Sequence, residues 1–288
     1  MTSSHAKASR QGAQTSGETY ISKEAERATF LKDGVIVLDL PSDVLQLQRS
    51  FLEEVCLWLD HWGGGHTTPE KLIEDLVTMA SRNRELVGRL YTVCRRFVSA
   101  KRLASHPYLV NVAQRLMNTD LVSCCNFVSV RFDLPRESEF LSHVHQDFIY
   151  IQGSLNGITI WLPFSDISLN MGPPSFVPGS QQWGVLKVKP SFADGKEGEP
   201  YIVVDNDRLR EAEFVKRGVS AAEALVFHTL LVHRSEPNTS KKARLSIQVR
   251  FDDLFDTTSF AKNYPEGLFL GDSPTKIFPE FVVRAPQN

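Results

Sequence analysis

The chain has eight histidines, and two of them stand one residue apart in the stretch HVHQDF (143–148), with an aspartate close behind. Imidazole nitrogens and carboxylate oxygens both bind divalent metals. Two histidines and one carboxylate on one face of an octahedral ion, with the other positions open, are the donor set of non-haem Fe(II) oxygenases. A His-x-Asp pair on its own is common by chance, so it needs a third ligand and a context.

The run 143–152 reads as a strand, and on a strand residues two apart share a face. That alternation puts His143, His145 and Asp147 together and does not by itself choose between the imidazoles. Spacing to the carboxylate makes His145 and Asp147 the immediate same-face neighbours. For the third ligand, His5 lies in a polar N-terminal stretch, and His61, His66 and His106 lie in a helical half. His228 and His233 remain, in FHTLLVHRS (227–235). Five apart, they face opposite ways on a regular strand, so only one can join.

The downstream sequence favours His233. EPNTSKK (236–242) is turn chemistry, and ARLSIQVRF (243–251) then alternates strictly. Leu245, Ile247, Val249 and Phe251 take one face; Arg244, Ser246, Gln248 and Arg250 take the other. A hairpin across the turn sets His233 beside Arg244, with Ser235 and Ser246 on the same faces. A fixed guanidinium near a metal is a bidentate carboxylate receptor. The pair suits a cosubstrate that chelates a metal at one end and carries a carboxylate at the other. 2-Oxoglutarate is such a molecule.

These groups need a scaffold, and the chain offers helices first and strands after. Apolar residues at helical spacing predict helices over 44–62, from Pro69, over about 83–103, and from Pro107 to about Met117. FLKDGVIVL (30–38) predicts a helix end, a glycine stop and a short strand. After Asp120, short apolar runs alternate with turn residues. Strands are predicted over 122–134, 143–152, 157–164, 174–177, 201–204, 224–232 and 243–251, as in a sandwich or barrel. The fold class is α+β: a jelly-roll-like barrel with N-terminal helices outside it. Residues 1–19 read as a disordered tail and 20–288 as one domain. Within it, about 20–120 is helical, about 121–255 forms the barrel and 256–288 is a C-terminal extension, with 194–200 an exposed loop.

Composition narrows the function. The chain is 42% hydrophobic and 23% charged, with a net charge of -2. No long basic stripe favours nucleic acid or an anionic membrane. No apolar run approaches a membrane span, and no signal-peptide core is visible. The four cysteines form no CxxC pair, as expected of free thiols in a reducing compartment. A cytoplasmic protein with a small-molecule substrate is expected.

With these residues in hand, the stretch from about Thr29 to Asp253 resembles the phytanoyl-CoA hydroxylase-like family of Fe(II)/2-oxoglutarate dioxygenases. The carrying motifs are FLKDGVIVL, HQD (145–147), Trp161 in ITIWLPFSD, NMGPPSFVPGSQQWG (170–184) and LVFHTLLVHRSEPNTSKKARLSIQVRF (225–251). The resemblance implies a double-stranded β-helix with iron on His145, Asp147 and His233. Arg244 would bind the far carboxylate of 2-oxoglutarate, helped by Ser235 and Ser246, with Trp161 and Gln146 near the cosubstrate. Fe(II), 2-oxoglutarate and O2 are the implied cofactors, and ascorbate is one such enzymes could use. The implied reaction is hydroxylation of an unactivated C–H with 2-oxoglutarate lost as succinate and carbon dioxide. Desaturation, epimerisation and ring formation use the same parts. A carboxylate at Asp147 argues against a halogenase, where a small residue leaves room for chloride.

The sequence departs from the family where Gln181 replaces a frequent histidine and Ala222-Glu223 replaces a Gly-Asp. Substrate contacts are expected around the barrel mouth from His143, Phe148, Tyr150, Gln152, Trp183 and Arg250. Arg131 is a candidate from the preceding strand. A non-catalytic metal- or ligand-binding barrel and a cupin-type metal isomerase are the rival readings; an isomerase has no use for Arg244.

Overall fold

A computed structural model describes residues 22–137, 141–190, 201–203 and 206–283. The expected tail (1–19) and loop (194–200) lie outside these residues. Helix α1 (Lys23–Asp33) starts at Ser22, whose hydroxyl accepts from the Ala25 N–H, and stops at Gly34 with φ 75°. A Cβ at Gly34 would overlap the side chains of Gln181 and Leu231. The position therefore takes only glycine before β1 (Val35–Asp39) begins.

Next come α2 (Ser42–His61), α3 (Leu72–Arg82), α4 (Arg84–Val93), α5 (Val98–Ala104) and α6 (Pro107–Met117). The last runs between its expected ends, with Asn118 left-handed at its close. Pro69 does not open a helix; it sits in the turn ahead of α3, where Thr68 O accepts from Lys71 and Leu72. The single helix expected over 83–103 is broken. The backbone is extended at Phe97 (ψ 146°), and the Phe97 ring packs against Phe51 at 6.0 Å.

The strand half holds β2 (Val122–Cys124), β3 (Ser129–Asp133), the short helix α7 (Phe148–Ile151), β4 (Gly157–Pro163), β5 (Ser175–Phe176), β6 (Val188–Pro190) and β7 (Tyr201–Val203). Helix α8 (Asn206–Arg210), β8 (Glu223–His228), β9 (His233–Arg234), β10 (Arg244–Asp253), α9 (Thr257–Ala261) and α10 (Pro274–Ile277) complete it. The large antiparallel sheet runs β1-β8-β4-β10-β2, with β3 also on β10. β2 and β3 divide the expected 122–134 strand: β3 pairs along Arg244–Gln248 and β2 along Phe251–Asp253. Facing this sheet are the pairs β5–β9 and β6–β7. The fold is a double-stranded β-helix with helices outside.

The alternation read from 243–251 holds in space. Leu245, Ile247, Val249 and Phe251 join Ile158, Ile160, Leu162 and the helices in one core. Each fully buried Leu, Ile or Phe there contributes roughly 1.5–3 kcal/mol. The opposite face meets the smaller layer, where Trp161, Leu225 and Phe227 pack with Phe176, Met171 and Leu231. Covered on both sides, all seven residues of β4 are buried.

Two expectations fail at the site itself. The run 143–152 is not a strand. His145 forms an isolated bridge to His233, and Asp147 already has helical backbone (φ -62°, ψ -29°) at the start of α7. Tertiary packing overrides the β-like composition here: Phe148 is drawn into a separate cluster with Leu230 and Phe278. Nor do β9 and β10 form a hairpin. β9 pairs with β5, whereas β10 pairs with β4, β3 and β2, in another sheet. No helix among the described residues is long and apolar enough to cross a membrane.

Candidate metal centre

His145 and His233 are 88 positions apart and meet through their backbones. Each N–H donates to the other's carbonyl, at 2.9 and 3.0 Å, and the ring centroids lie 4.1 Å apart. Each ring is also fixed by the carbonyl two residues before it. His145 Nδ1 lies 2.7 Å from His143 O and His233 Nδ1 lies 2.9 Å from Leu231 O. With Nδ1–H donating there, Nε2 of each ring is an open lone pair.

Helix α7 brings in the carboxylate. Asp147 Oδ1 lies 3.6 Å from His145 Nε2 and 3.9 Å from His233 Nε2. The ligand atoms of the three residues lie within 4.8 Å of one another, and all three residues are buried. A first-row divalent ion with donors at roughly 2.0–2.2 Å fits between them. The other oxygen, Oδ2, accepts from Thr159 Oγ1 and, at 3.1 Å, from Arg250 Nε.

Protonation suits a metal. Burial pushes His233 down to about 3, with His145 adding to the shift. Burial would raise Asp147, but Arg250 and the two histidines outweigh it and hold the carboxyl well below its usual range. Neutral imidazole beside ionised carboxylate is the state that ligates.

The inner face of β10 runs away from this centre as Arg250, Gln248, Ser246 and Arg244, opposite Thr159, Trp161 and Pro163 on β4. At its far end Arg244 is buried. It bonds Asp133 through Nε at 3.1 Å and Nη2 at 2.9 Å, and Nη1 reaches Met171 O. Arg131 grips the same carboxylate from the other side. On this face two buried polar atoms have no partner among the described residues, Ser246 Oγ and Arg250 Nη1. Orphaned donors on this face leave hydrogen-bonding capacity for a ligand rich in oxygen. An anionic keto acid with one end at the triad and the other toward Arg244 fits that donor set.

The expected site residues divide. His145, Asp147 and His233 come together. Arg244, Ser246 and Trp161 share the inner wall of the barrel. Ser235 follows β9, with its backbone N–H on Ser142 O. Gln146 does not face the site: its amide donates to Gly184 O and Leu230 O and accepts from Leu186 N. Of the mouth candidates, His143 is exposed and serves through its carbonyl. Phe148 is core. Gln152 is buried with its amide on Ile149 O and Asp272 O. Arg250 grips a metal-binding carboxylate rather than the mouth, and Arg131 holds Asp133. Tyr150 meets His145 edge-on at 5.3 Å. Trp183 lies under Arg208 at 5.7 Å.

Three contributors were missed by sequence reasoning. Asp133 ties two arginines together. Phe227 packs its ring 4.8 Å from that of His233. Thr159 holds Asp147, and its signal was present: it lies two residues before Trp161 in ITIWLPF, hence on the same face.

Comparison with known proteins agrees with this arrangement. Residues 83–246, just over half of the chain, match the phytanoyl-CoA dioxygenase (PhyH) family. A phytanoyl-CoA dioxygenase domain-containing protein 1 homolog of Dictyostelium discoideum is 26% identical over 110 residues. That match covers 38% of this chain and 39% of the relative's own length. Among solved structures, the epimerase SnoN, in complex with Fe3+, alpha ketoglutarate and nogalamycin RO, superposes with TM-score 0.57. It is 19% identical, over 92% of this chain and 93% of SnoN. The alpha ketoglutarate dependent carbocyclase SnoK gives 0.54 at 17% identity, over 89% and 95% of the two chains. AviO1 of Streptomyces viridochromogenes Tue57 gives 0.53 at 15%, over 83% and 98%. At these identities the structures share the fold.

Proposed function

The chain belongs to the phytanoyl-CoA dioxygenase family of non-haem Fe(II)/2-oxoglutarate enzymes, and from that premise we propose that it hydroxylates an unactivated C–H of a small metabolite or natural-product intermediate. The observation that supports the reading is the buried His145, Asp147 and His233 set, with a row of polar side chains leading from it to Arg244. Iron there, with 2-oxoglutarate and dioxygen, supplies the oxidising chemistry and leaves succinate and carbon dioxide. His145 and His233 would hold the ion through Nε2. Thr159 holds Oδ2 of Asp147 and Arg250 spans both oxygens, so that the carboxylate is fixed where it would meet the ion. Arg244 would bind the far carboxylate of 2-oxoglutarate through the N–H donors not used on Asp133 and Met171 O, and Ser246 Oγ would add a donor beside it. The apolar wall of Trp161, Phe176 and Phe227 excludes water from the cosubstrate.

Epimerisation or ring formation is the second reading. SnoN is an epimerase and SnoK a carbocyclase, both on this fold. Four free cysteines suit a reducing compartment such as the cytoplasm.

The test is anaerobic addition of Fe(II) and 2-oxoglutarate to the purified chain. A charge-transfer band in the visible is expected. Bound iron without such a band would overturn the dioxygenase reading. Mass analysis of the product then separates hydroxylation, a gain of one oxygen, from epimerisation or ring closure.

A further inference from the structure

Arg250 commits two of its three guanidinium nitrogens to Asp147. Nε lies 3.1 Å from Oδ2 and Nη2 lies 3.3 Å from Oδ1. Nη1 has no partner among the described residues, although the side chain is only 8% exposed. A buried donor left bare is costly, and each such group calls for an explanation. The guanidinium is a rigid plane, so the bonds to Asp147 fix where its remaining edge points. Asp147 takes the edge between Nε and Nη2. The second N–H of Nη2 donates to Gln248 Oε1 at 2.5 Å, and Gln248 lies two residues back along β10. The free edge, between Nη2 and Nη1, therefore faces along the inner wall toward Arg244.

Gln248 extends this edge. It stands between Arg250 and Arg244 on the inner face of β10, opposite Trp161 of β4. A guanidinium has only donors, so its contact with Gln248 decides which end of the amide is the oxygen. Gln248 Nε2 then carries N–H groups with no partner among the described residues. Half-buried Gln248 and buried Nη1 together present donors to the space between the triad and Arg244. Charge is distributed unevenly along that space. Arg131 and Arg244 share the one carboxylate of Asp133, which leaves positive charge in excess at the far end. Arg250 is matched by Asp147, so at the near end the excess comes from a divalent ion on the triad. An anion held there takes charge compensation from the ion and orientation from the N–H donors.

Resting on the dioxygenase reading, we propose that Gln248 Nε2 and Arg250 Nη1 bind the carboxylate of 2-oxoglutarate at its metal-chelating end, while Arg244 binds the other. Both residues lie past the family match, which ends at 246. The two carboxylates are held by different side chains, so their contributions separate by mutation.

The test uses the full chain saturated with Mn(II) and two probes. One is 2-oxoglutarate; the other is 2-oxobutyrate, which keeps the keto-acid end and lacks the far carboxylate. Calorimetry reads the affinities. Gln248→Met keeps the bulk and removes the donors. It should weaken both probes about ten-fold or more, as loss of a hydrogen bond to a charged group does, and leave Mn(II) affinity unchanged. Gln248→Glu keeps an acceptor for Arg250 but sets a negative charge beside the probe, and should weaken both further. Arg244→Met should weaken 2-oxoglutarate alone. With Fe(II), anaerobically, the charge-transfer band should move to shorter wavelength in Gln248→Met and stay in place in Arg244→Met, because donors at the chelating end stabilise the electron that the keto acid receives. A side chain that only packs the wall would not move the band. The proposal is overturned by 2-oxobutyrate binding indifferent to Gln248→Met, by undiminished binding in Gln248→Glu, by an unmoved band, or by a loss of Mn(II) affinity as large as that of the probes. Should the Gln248 variants not fold, Arg250→Lys decides. It keeps a positive charge beside Asp147 and deletes Nη1, and at saturating Mn(II) it should weaken 2-oxobutyrate; unchanged binding overturns the proposal. If the wild-type chain binds Mn(II) and neither probe, the dioxygenase reading fails. If it binds both and the variants match it, that reading stands and this assignment fails.

Discussion

Arg250 spans both oxygens of the Asp147 carboxylate, with Nη2 3.3 Å from Oδ1, the oxygen nearer the histidines. Arg250 Nε lies 3.1 Å from Oδ2, while Oδ1 stands 3.6 Å from His145 Nε2. The guanidinium, with Thr159 on Oδ2, thus fixes the orientation of the carboxylate beside the two imidazoles.

Loosening that grip should cost metal affinity without removing a ligand. Arg250→Met and Thr159→Val are each expected to weaken Co(II) binding by roughly 10–100-fold, the usual effect of removing a partner that orients a ligand. Titration followed by the visible Co(II) bands measures this. Unchanged affinity in both variants would refute the orienting role.

The two histidines of HVHQDF should separate cleanly. His145→Ala removes a donor and should abolish stoichiometric Fe(II) binding. His143 contributes only a backbone carbonyl to His145, so His143→Ala should keep it. Metal analysis after desalting reads the difference, and the reverse pattern would overturn the ligand assignment.

At the far end of the barrel, Arg244→Met should raise KM for 2-oxoglutarate by about 10-fold or more, as loss of a charge-assisted pair does. Asp133→Ala should do more damage. It leaves the buried Arg244 guanidinium without its carboxylate partner, and the expected loss of stability is on the order of 3–5 kcal/mol. Ser246→Ala should leave the ligand-free protein within about 0.5 kcal/mol of wild type, because its hydroxyl has no partner to lose among the described residues. It should nevertheless weaken 2-oxoglutarate binding. Urea melts with and without 2-oxoglutarate test all three.

Asp252 gives a pH signature. Burial raises its carboxyl to about 7 in the folded chain, above the unfolded value. Its neutral form therefore contributes stability that is complete below the unfolded pKa and is lost as pH rises through about 7. Asp252→Asn should remove that loss. The variant's melting temperature should gain on wild type between about pH 5 and about pH 8. A constant difference across that range would contradict a raised pKa.

Much of the site could be read from residue types. Donor chemistry is a property of the side chain, so HQD and a distant histidine already specified a metal set. Strict alternation through ARLSIQVRF already specified which side chains of β10 turn inward, because a strand has only two faces. The helix-then-strand order specified the architecture, and Gly34 and Pro107 marked boundaries through backbone constraints that are local.

What faces each inward side chain was decided only in three dimensions. Alternation placed Arg250 on the inner face but could not say that Asp147 would meet it, since the two are 103 residues apart and on different elements. It also wrongly extended a strand through Asp147. FIYI has the composition of a strand, yet the helical turn is set by where Phe148 must pack. His233 and Arg244 serve one barrel without pairing, because β9 and β10 enter opposite sheets. Gln146, adjacent to both ligands in sequence, points elsewhere for the same reason. Local spacing fixes faces and donors, while long-range packing fixes partners.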